Sequence, residues 1–253
     1  MSIDATNQST TKNRTLSSRM VHTITDRFSM ANTYLLNEER MVVVDPGTEL
    51  NVQQLLYYLT HFLKRPLTQI DLIVLTHLHP DHTAGVTLLQ QHCHAPVAAS
   101  AIIQQLAHPQ NVASTPKHRR PAILPSLPKR PLPGVLYHLD LFPPFYERQT
   151  KLINLWLDAT NALPGHPDWH IIPSPGHTPD SICLYNPCSK ELLCGDTMIT
   201  IQGGAPLIHG ATNRRDLDNT LHVLRELDVH YLYPGHGRPI LGLHPLQNVD
   251  VEW

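Results

Sequence analysis

The stretch Thr76-His77-Leu78-His79-Pro80-Asp81-His82 places three imidazoles and a carboxylate within six residues. It follows residues 70–75, an apolar and β-branched run that is typical of a strand, and it precedes a predicted helix over residues 86–91. Imidazole and carboxylate are the ligands that zinc and similar divalent metals prefer. The spacing predicts that His77 and His79 meet one metal and that Asp81 and His82 turn towards a second. The stretch therefore predicts most of a dinuclear metal site on a loop at a sheet edge.

Composition excludes several classes of function. The chain has 253 residues and a formal charge of -2, so it is long enough for a large core and carries no basic footprint for nucleic acid. It contains no apolar run of the ~18–20 residues that a membrane span requires. Residues 1–20 are polar and rich in Ser and Thr, which predicts a disordered tail rather than a secretion signal. We therefore expect a small-molecule substrate, no nucleic-acid partner and no membrane partner, and the sequence does not predict an oligomeric state.

The four cysteines indicate a cellular compartment. They are Cys93, Cys183, Cys188 and Cys194. They lack a C-x-x-C spacing and are too few for a disulfide scaffold in a chain of this size. This pattern favours free thiols and a cytoplasmic location.

The first half of the chain reads as strands followed by helices. Strands are predicted over residues 21–26, 32–36, 40–45 and 95–99, and helices over residues 51–64 and 100–107. Asn51 is predicted to cap the first of these helices. The run Met41–Val44 is continuously apolar rather than alternating, which predicts a strand that is buried on both faces.

Residues 109–145 differ in character from the rest of the chain. Proline is dense there and basic residues cluster, so the segment cannot form one regular element, and we predict an insertion that contains a strand over residues 135–140. The insertion is either a solvated loop or a lid whose cations face an anionic part of the substrate. A helix is predicted over residues 146–163, where apolar residues recur at helical spacing.

The second half of the chain repeats the pattern of the first. Strands are predicted over residues 169–172, 181–185, 191–194 and 231–233, and a helix capped by Asn213 over residues 214–227. Three of these strands end in glycine followed by a histidine or an aspartate, namely His177, Asp196 and His236. Because glycine allows a tight turn, each of these side chains can point back across the strand ends. Two β-rich halves with outer helices predict an α/β sandwich whose metal ligands lie along one edge.

Five motifs carry a resemblance to a known family. In chain order they are Asp45-Pro46-Gly47, His77-x-His79-x-Asp81-His82, Pro175-Gly176-His177-Thr178, Gly195-Asp196-Thr197 and Pro234-Gly235-His236-Gly237. With these motifs the chain resembles the metallo-β-lactamase fold hydrolases over about residues 21–240. The resemblance implies an α/β fold, the αββα sandwich, with helices on the outer faces of two β-rich halves. It also implies that residues 21–253 form a single domain.

The resemblance implies a role for each matched residue. His77, His79 and His177 resemble the ligands of a first metal, whereas Asp81, His82 and His236 resemble those of a second. Asp196 resembles the carboxylate that bridges the two metals, and Asp45 an acidic residue that orients a ligand. Asp81 also resembles the catalytic residue that orients the nucleophile or relays its proton. Two zinc ions per chain are implied, and iron and manganese accept the same ligands.

The implied activity is hydrolysis by a metal-bridging hydroxide of a small acyl ester, thioester or lactone. The glyoxalase II group shares several of the motifs, but only 17 residues follow His236 here, which argues against glutathione thioesters as the substrate. Three alternatives stay open: a mononuclear iron oxygenase similar to the persulfide dioxygenases, a phosphodiesterase, and a non-catalytic metal-binding module. His209, in the loop that follows the bridging aspartate, is a candidate for contact with the substrate.

Overall fold

The computed structural model describes residues 21–26, 31–107, 143–158, 162–200, 205–208, 210–242, 244–247 and 249–251. The predicted tail over residues 1–20, the strand over residues 135–140, nearly all of the 109–145 insertion and His209 lie outside these residues. The strands in chain order are β1 (Val21–Thr25), β2 (Asn32–Asn37), β3 (Met41–Val44), β4 (Ile70–Val74), β5 (Val97–Ser100), β6 (Leu155–Leu157), β7 (Ala162–Leu163), β8 (His166–Pro173), β9 (Ile182–Asn186), β10 (Glu191–Gly195), β11 (Ile199–Thr200), β12 (Pro206–Ile208), β13 (Tyr231–Pro234), β14 (Ile240–Leu241) and β15 (Asp250–Val251). The helices are α1 (Glu49–Tyr58), α2 (Pro80–Thr83), α3 (Val86–Cys93), α4 (Ile102–Ala107), α5 (Pro143–Gln149) and α6 (Arg214–Arg225).

Two six-stranded sheets form the centre of the fold. The first has the order β1-β2-β3-β4-β5-β6, and the second has the order β14-β13-β10-β9-β8-β7. In the first sheet β3, β4, β5 and β6 run parallel, so their carboxyl ends meet at one edge. In the second sheet β10 and β13 are also parallel neighbours. A small third sheet pairs β11, β12 and β15.

Three apolar cores separate four layers of structure. One core lies between the first sheet and the helices α1 and α3, a second lies between the two sheets, and a third lies between the second sheet and α6. Strand β3 shows why the prediction of two-sided burial is confirmed. Met41 and Val43 pack under the helices, whereas Val42 and Val44 pack against the second sheet, and none of the four is exposed. The layers form the predicted αββα sandwich.

The predicted cap of the first helix is wrong by one turn. Helix α1 begins after Thr48, whose side chain accepts a hydrogen bond from the Asn51 N–H, while the Asn51 side chain accepts one from the Thr48 N–H. This reciprocal pair is a capping box, in which Asn51 occupies the third helical position rather than the cap itself. The α-helix also ends early, at Tyr58, and continues as a π-helical turn over Leu59–Leu63.

The predicted helix over residues 146–163 is also wrong. Helix α5 ends at Gln149 and a 3₁₀ turn follows over Thr150–Leu152. The chain then forms β6, which pairs in parallel with β5, and β7, which pairs with β8. Pairing with an existing sheet edge overrides the helical spacing of the apolar residues, since a short apolar run fits either structure.

The predicted helix of the second half is confirmed. Helix α6 begins after Asn213, whose side chain accepts hydrogen bonds from the N–H groups of Arg215 and Asp216. Its apolar face packs on the second sheet through Leu217, Leu221 and Leu224. Among the helices that the structure describes, none combines the length and apolar character needed to cross a bilayer.

Candidate metal centre

The loops at one end of the two sheets carry all of the predicted metal ligands. In the first half, Asp45 follows β3, His77 and His79 follow β4, and Asp81 and His82 lie in the short helix α2. In the second half, His177 follows β8, Asp196 follows β10 and His236 follows β13. The carboxyl ends of β3, β4, β10 and β13 converge because these strands pair in parallel within their sheets. The structure therefore brings the residues of five separate motifs to one place.

The first cluster consists of His77, His79, His177 and Asp196, and all four residues are buried. The Nε2 atoms of His77 and His177 each lie 3.1 Å from Nδ1 of His79. Oδ2 of Asp196 lies 3.8 Å from Nε2 of His77 and 3.5 Å from Nε2 of His177. Three imidazole nitrogens and one carboxylate oxygen therefore surround a single point.

The second cluster consists of Asp81, His82 and His236. Nε2 of His236 lies 3.1 Å from Oδ2 of Asp81 and 3.4 Å from Nε2 of His82. Asp196 borders this cluster as well, since its Oδ1 lies 3.3 Å from His82 and its Oδ2 lies 3.4 Å from His236. The carboxylate of Asp196 therefore stands between the two clusters.

The donor atoms fit divalent metal ions. Two nitrogens bound to one tetrahedral zinc at ~2.0–2.1 Å lie about 3.3–3.4 Å apart, close to the 3.1 Å separations around His79. Within the described part of the chain, the buried Oδ1 of Asp196 accepts no hydrogen bond. Backbone fills the space beside it, because a Cβ on Gly235 would lie 2.0 Å from that oxygen. This oxygen lies 3.3 Å from Nε2 of His82 without an aligned hydrogen bond, and a cation held by the carboxylate and a neutral imidazole would satisfy both.

Asp45 contacts Thr76 and His82, and with His77 and His82 it also forms a third group of possible metal donors. Its Oδ1 accepts a hydrogen bond of 2.8 Å from the Thr76 N–H, and its Oδ2 accepts one of 2.6 Å from the Thr76 hydroxyl. The same Oδ2 lies 3.0 Å from Nδ1 of His82. A φ of 49° at Asp45 turns the chain after β3 and aims the carboxylate at these partners. A contact with the second nitrogen of a ligand imidazole fixes the tautomer and the direction of the ring.

Electrostatics differ between the two clusters, and the first favours neutral imidazoles. Burial lowers the pKa of His79 to about 3. Burial also lowers the pKa of His77 well below its ordinary value, and the neighbouring imidazoles of His82 and His79 add to that effect. Neutral imidazole is the form that binds metal, so these two rings need to lose no proton at neutral pH.

In the second cluster the carboxylates favour protonated imidazoles. Burial alone would lower the pKa of His236, but Asp196 and Asp81 outweigh it and raise that pKa to about 9. Burial acts in the same way on His82, where Asp196 and Asp45 raise the pKa well above its ordinary value. In return, the two imidazoles overcome the effect of burial on Asp196 and hold its pKa well below the usual range. The second cluster is therefore a network of ion pairs between carboxylates and imidazoles, buried at His82 and Asp196 and partly exposed at Asp81 and His236.

Several residues that contact the ligands were not found by sequence reasoning. The Gly210 carbonyl lies 2.9 Å from Nδ1 of His177, and the Thr76 hydroxyl lies 3.0 Å from Nδ1 of His77. Asn32 donates hydrogen bonds to the loop that carries His236. Asn32 is the first residue of β2, which also contains Thr33 and Asn37, so its polarity gave no distinctive signal. A carbonyl such as that of Gly210 leaves no signal, since every residue has one.

The chain resembles known proteins over most of its length. The sequence profile of the Metallo-beta-lactamase superfamily matches residues 26–236. A protein of Methanocaldococcus jannaschii that carries the name probable metallo-hydrolase is 25% identical over 82% of this chain and 87% of its own length. A hydroxyacylglutathione hydrolase of Idiomarina loihiensis is 24% identical over 65% of this chain, which spans only 44% of that enzyme.

Solved structures show the same fold. The protein TTHA1623, solved in a di-iron-bound form, superimposes with a TM-score of 0.55 at 23% identity, over 87% of this chain and 94% of that one. The αββα layers, the five motifs in family order and the profile match agree with one another. The chain belongs to the metallo-beta-lactamase superfamily, whose members are generally metal-dependent hydrolases.

Proposed function

We propose that this protein is a binuclear metal hydrolase, with two zinc ions per chain, that cleaves a small acyl ester, thioester or lactone. The observation that carries the proposal is the position of Asp196. Its two oxygens lie within 3.3–3.8 Å of four imidazole nitrogens, which belong to both clusters. A carboxylate in this position can bridge two cations. A site for one metal would require only one of the two clusters. Iron and manganese suit the same donors.

The bound metals would bring a shared water to a pKa near neutrality and polarise the oxygen that gains charge in the substrate. His77, His79 and His177 would hold one ion, Asp81, His82 and His236 the other, and Asp196 would contact both. Asp45 would orient the ring of His82, as their 3.0 Å contact supports.

Asp81 is the candidate catalytic residue. Its side chain is 16% exposed and that of His236 is 17% exposed, against 0% for His82, so Asp81 and His236 are the members of the second cluster that reach the solvent. A carboxylate at this opening can orient an attacking water and accept its proton. The substrate would therefore approach from the side of Asp81 and His236.

The name of one relative supports the acyl substrate class. The matching hydroxyacylglutathione hydrolase bears a name that describes a thioester substrate, and this chain spans 44% of it. His209 is proposed to contact the substrate because it precedes Gly210, whose carbonyl lies 2.9 Å from the His177 ring. We also propose a small-molecule substrate and a cytoplasmic location, the latter supported by four cysteines that form no disulfide.

The first measurement is the metal content of protein purified without added metal, by elemental mass spectrometry, together with a visible absorbance scan. About two zinc ions per chain would support the proposal and would lead to panels of thioesters and lactones. Close to one iron per chain would instead favour the oxygenase, to be tested by oxygen uptake with a persulfide. A folded protein that resists reconstitution with any metal would contradict both enzymes and leave a non-catalytic binding module that keeps the fold.

Variants of the bridging residue and of one second-cluster ligand test the assignment. We expect Asp196→Ala and His82→Ala to abolish hydrolysis and to lower the metal content, while circular dichroism shows a folded protein. The control is His92→Ala, which changes an exposed histidine on α3. Full activity in either site variant would contradict the ligand assignment.

A further inference from the structure

Asn32 is a buried polar residue whose side chain binds the loop that carries His236. It is the first residue of β2 and has no exposed surface. Its Nδ2 donates hydrogen bonds of 2.9 Å to the Pro234 carbonyl and 2.7 Å to the Gly237 carbonyl. Its Oδ1 accepts one of 2.7 Å from the Thr25 hydroxyl. One side-chain amide therefore forms hydrogen bonds with the loop on both sides of His236.

The main chain strengthens this contact between the two halves of the sandwich. The Asn32 N–H donates a 2.8 Å hydrogen bond to the Gly235 carbonyl, and Ala31 forms a β-bridge with His236. The Tyr34 hydroxyl donates a further hydrogen bond to the Pro234 carbonyl. Strand β2 of the first sheet thus forms a wall along the loop that follows β13 of the second.

The opposite side of the loop is closed as well. The Gly235 N–H donates to the Gly195 carbonyl at 2.7 Å, and the Thr200 N–H donates to the His236 carbonyl at 3.0 Å. A Cβ on Gly237 would lie 1.7 Å from the Thr200 carbonyl, so no room remains on that side. The loop is therefore held from both sides, by Gly195 and Thr200 on one side and on the other by the Asn32 side chain together with the β2 main chain and Tyr34.

We propose that Asn32 is a positioning residue for the second metal cluster, acting through the backbone of the His236 loop. The inference rests on the proposed binuclear function. Nε2 of His236 meets Asp81 at 3.1 Å and Asp196 at 3.4 Å, distances that a backbone shift of 1 Å would destroy, by analogy with the effect of small displacements in catalytic sites. Asn32 touches no member of the first cluster among the contacts described, so its loss should affect one metal and spare the other.

The variant Asn32→Asp removes the donor nitrogen, whose partners are the Pro234 and Gly237 carbonyls and, at 3.1 Å, the Tyr34 hydroxyl. It keeps the size of the side chain but turns the donor nitrogen into an oxygen, which faces the Pro234 and Gly237 carbonyls and repels them. The matched control is Thr33→Val on the same strand. Thr33 is also fully buried, and its hydroxyl makes no hydrogen bond within the described structure, so the isosteric change removes no contact.

The test is a titration of the full-length, metal-free protein with Co²⁺, followed by visible absorbance and calorimetry. In Asn32→Asp we expect the first equivalent to bind as in the wild type and the second to bind about 10–100-fold more weakly. Thr33→Val should bind both equivalents as the wild type does. An Asn32→Asp protein that matches Thr33→Val, or one that loses both equivalents to the same degree, overturns the proposal.

A double-mutant cycle separates positioning from general destabilisation. If Asn32 acts through His236, then Asn32→Asp should weaken Co²⁺ binding no further in a His236→Ala background. An additional loss in that background contradicts the proposal.

If Asn32→Asp fails to fold, Tyr34→Phe is the second variant, because it removes one donor from the Pro234 carbonyl. We then expect a smaller weakening of the second equivalent alone. An unchanged second equivalent counts against the proposal. A wild type that binds a single equivalent contradicts the binuclear function and this inference together, whereas normal binding of two equivalents by Asn32→Asp contradicts only the inference.

Discussion

His236 and His79 are both predicted metal ligands, yet their surroundings drive their pKa values in opposite directions. Burial lowers the pKa of His79 to about 3, whereas Asp196 and Asp81 overcome burial at His236 and raise its pKa to about 9. At neutral pH, histidine is therefore neutral and ready to bind metal in one cluster, whereas in the other it is protonated. Residue identity alone contains no such distinction, because it depends on which carboxylates lie nearby.

This difference predicts that filling the second cluster releases protons. At pH 7 the pH is below the pKa of His236, about 9, so the ring is protonated before metal binds. Metal binding must therefore displace that proton. Apparent affinity for the second equivalent of metal should therefore rise as the pH increases from 7 towards 9. Calorimetric titration at pH 7 in buffers of different ionisation enthalpy counts the protons released. The His236→Gln variant should release one proton fewer, and a wild-type heat that is independent of the buffer would contradict the prediction.

At the scale of elements, packing between loops and helices positions the candidate ligands. The His177 loop illustrates this, since the Gly176 carbonyl accepts hydrogen bonds from Thr212 at 2.7 Å and from Asn213 at 3.1 Å, next to the start of α6. Gly176 has a φ of 141°, and a Cβ there would lie 2.5 Å from Cβ of Leu217 and 2.6 Å from its Cα. The glycine lets the helix and the ligand loop meet without an intervening side chain.

Gly176→Ala should therefore force α6 and the His177 loop apart. We expect a loss of about 1–3 kcal/mol in the free energy of unfolding from overpacking, together with weaker binding of metal in the first cluster. Thermal unfolding and metal titration measure the two effects. Gly242→Ala is the control, because a Cβ at Gly242 would meet nothing within 4 Å and its φ is not in the left-handed region. Equal behaviour of the two variants would show that the close approach at Gly176 has no consequence.

On the scale of the whole molecule, a buried imidazole joins the two halves at the end opposite the metal ligands. His166 begins β8 of the second sheet, and its Nδ1 lies 2.7 Å from Glu38 in the turn between β2 and β3. Its Nε2 lies 3.2 Å from Asp71 at the start of β4. Trp169 donates to the other oxygen of Glu38 at 2.8 Å. The two sheets are thus linked by charged groups at one end and carry the candidate metal ligands at the other.

The charged link predicts a pH dependence of stability. Burial opposes the charge on His166, but Glu38 and Asp71 outweigh burial and raise the pKa of His166 above the ordinary 6.5. The charged His166 therefore stabilises the fold fully below pH 6.5, and this stabilisation is lost as the pH rises through the raised pKa. Hydrogen bonds from His166 lower the pKa of Glu38 below the ordinary 4.5. The ionised Glu38 therefore stabilises the fold fully above pH 4.5, and this stabilisation is lost as the pH falls through the lowered pKa. His166→Gln keeps a neutral side chain that can still form hydrogen bonds. Its deficit in unfolding free energy should be greatest between about pH 4.5 and 6.5, at about 1.5–3 kcal/mol, and should shrink on either side. Urea unfolding across this pH range checks the prediction, and a deficit that does not change with pH would refute it.

The sequence by itself determined the fold class and the set of residues offered as ligands. The strands before the ligand loops have a local apolar pattern, and the turn at Gly195, with a φ of 48°, is one that glycine adopts freely. Local pattern and side-chain chemistry therefore suffice to find the candidate ligands. The five motifs in order identified the superfamily for the same reason. Residues 41–44 predicted their own two-sided burial, because a continuous apolar run needs a core on each face.

The tertiary structure alone decided how these parts are held. Asn32 binds a carbonyl 202 residues away, and Tyr146 donates to Asp180 across 34 residues, contacts that no local periodicity can contain. Residues 155–157 became a strand because the edge of β5 was there to pair with, although their spacing suited a helix. Chemistry is a property of the side chain and can be predicted from it, whereas the pKa, orientation and support of a ligand arise from neighbours that only folding supplies.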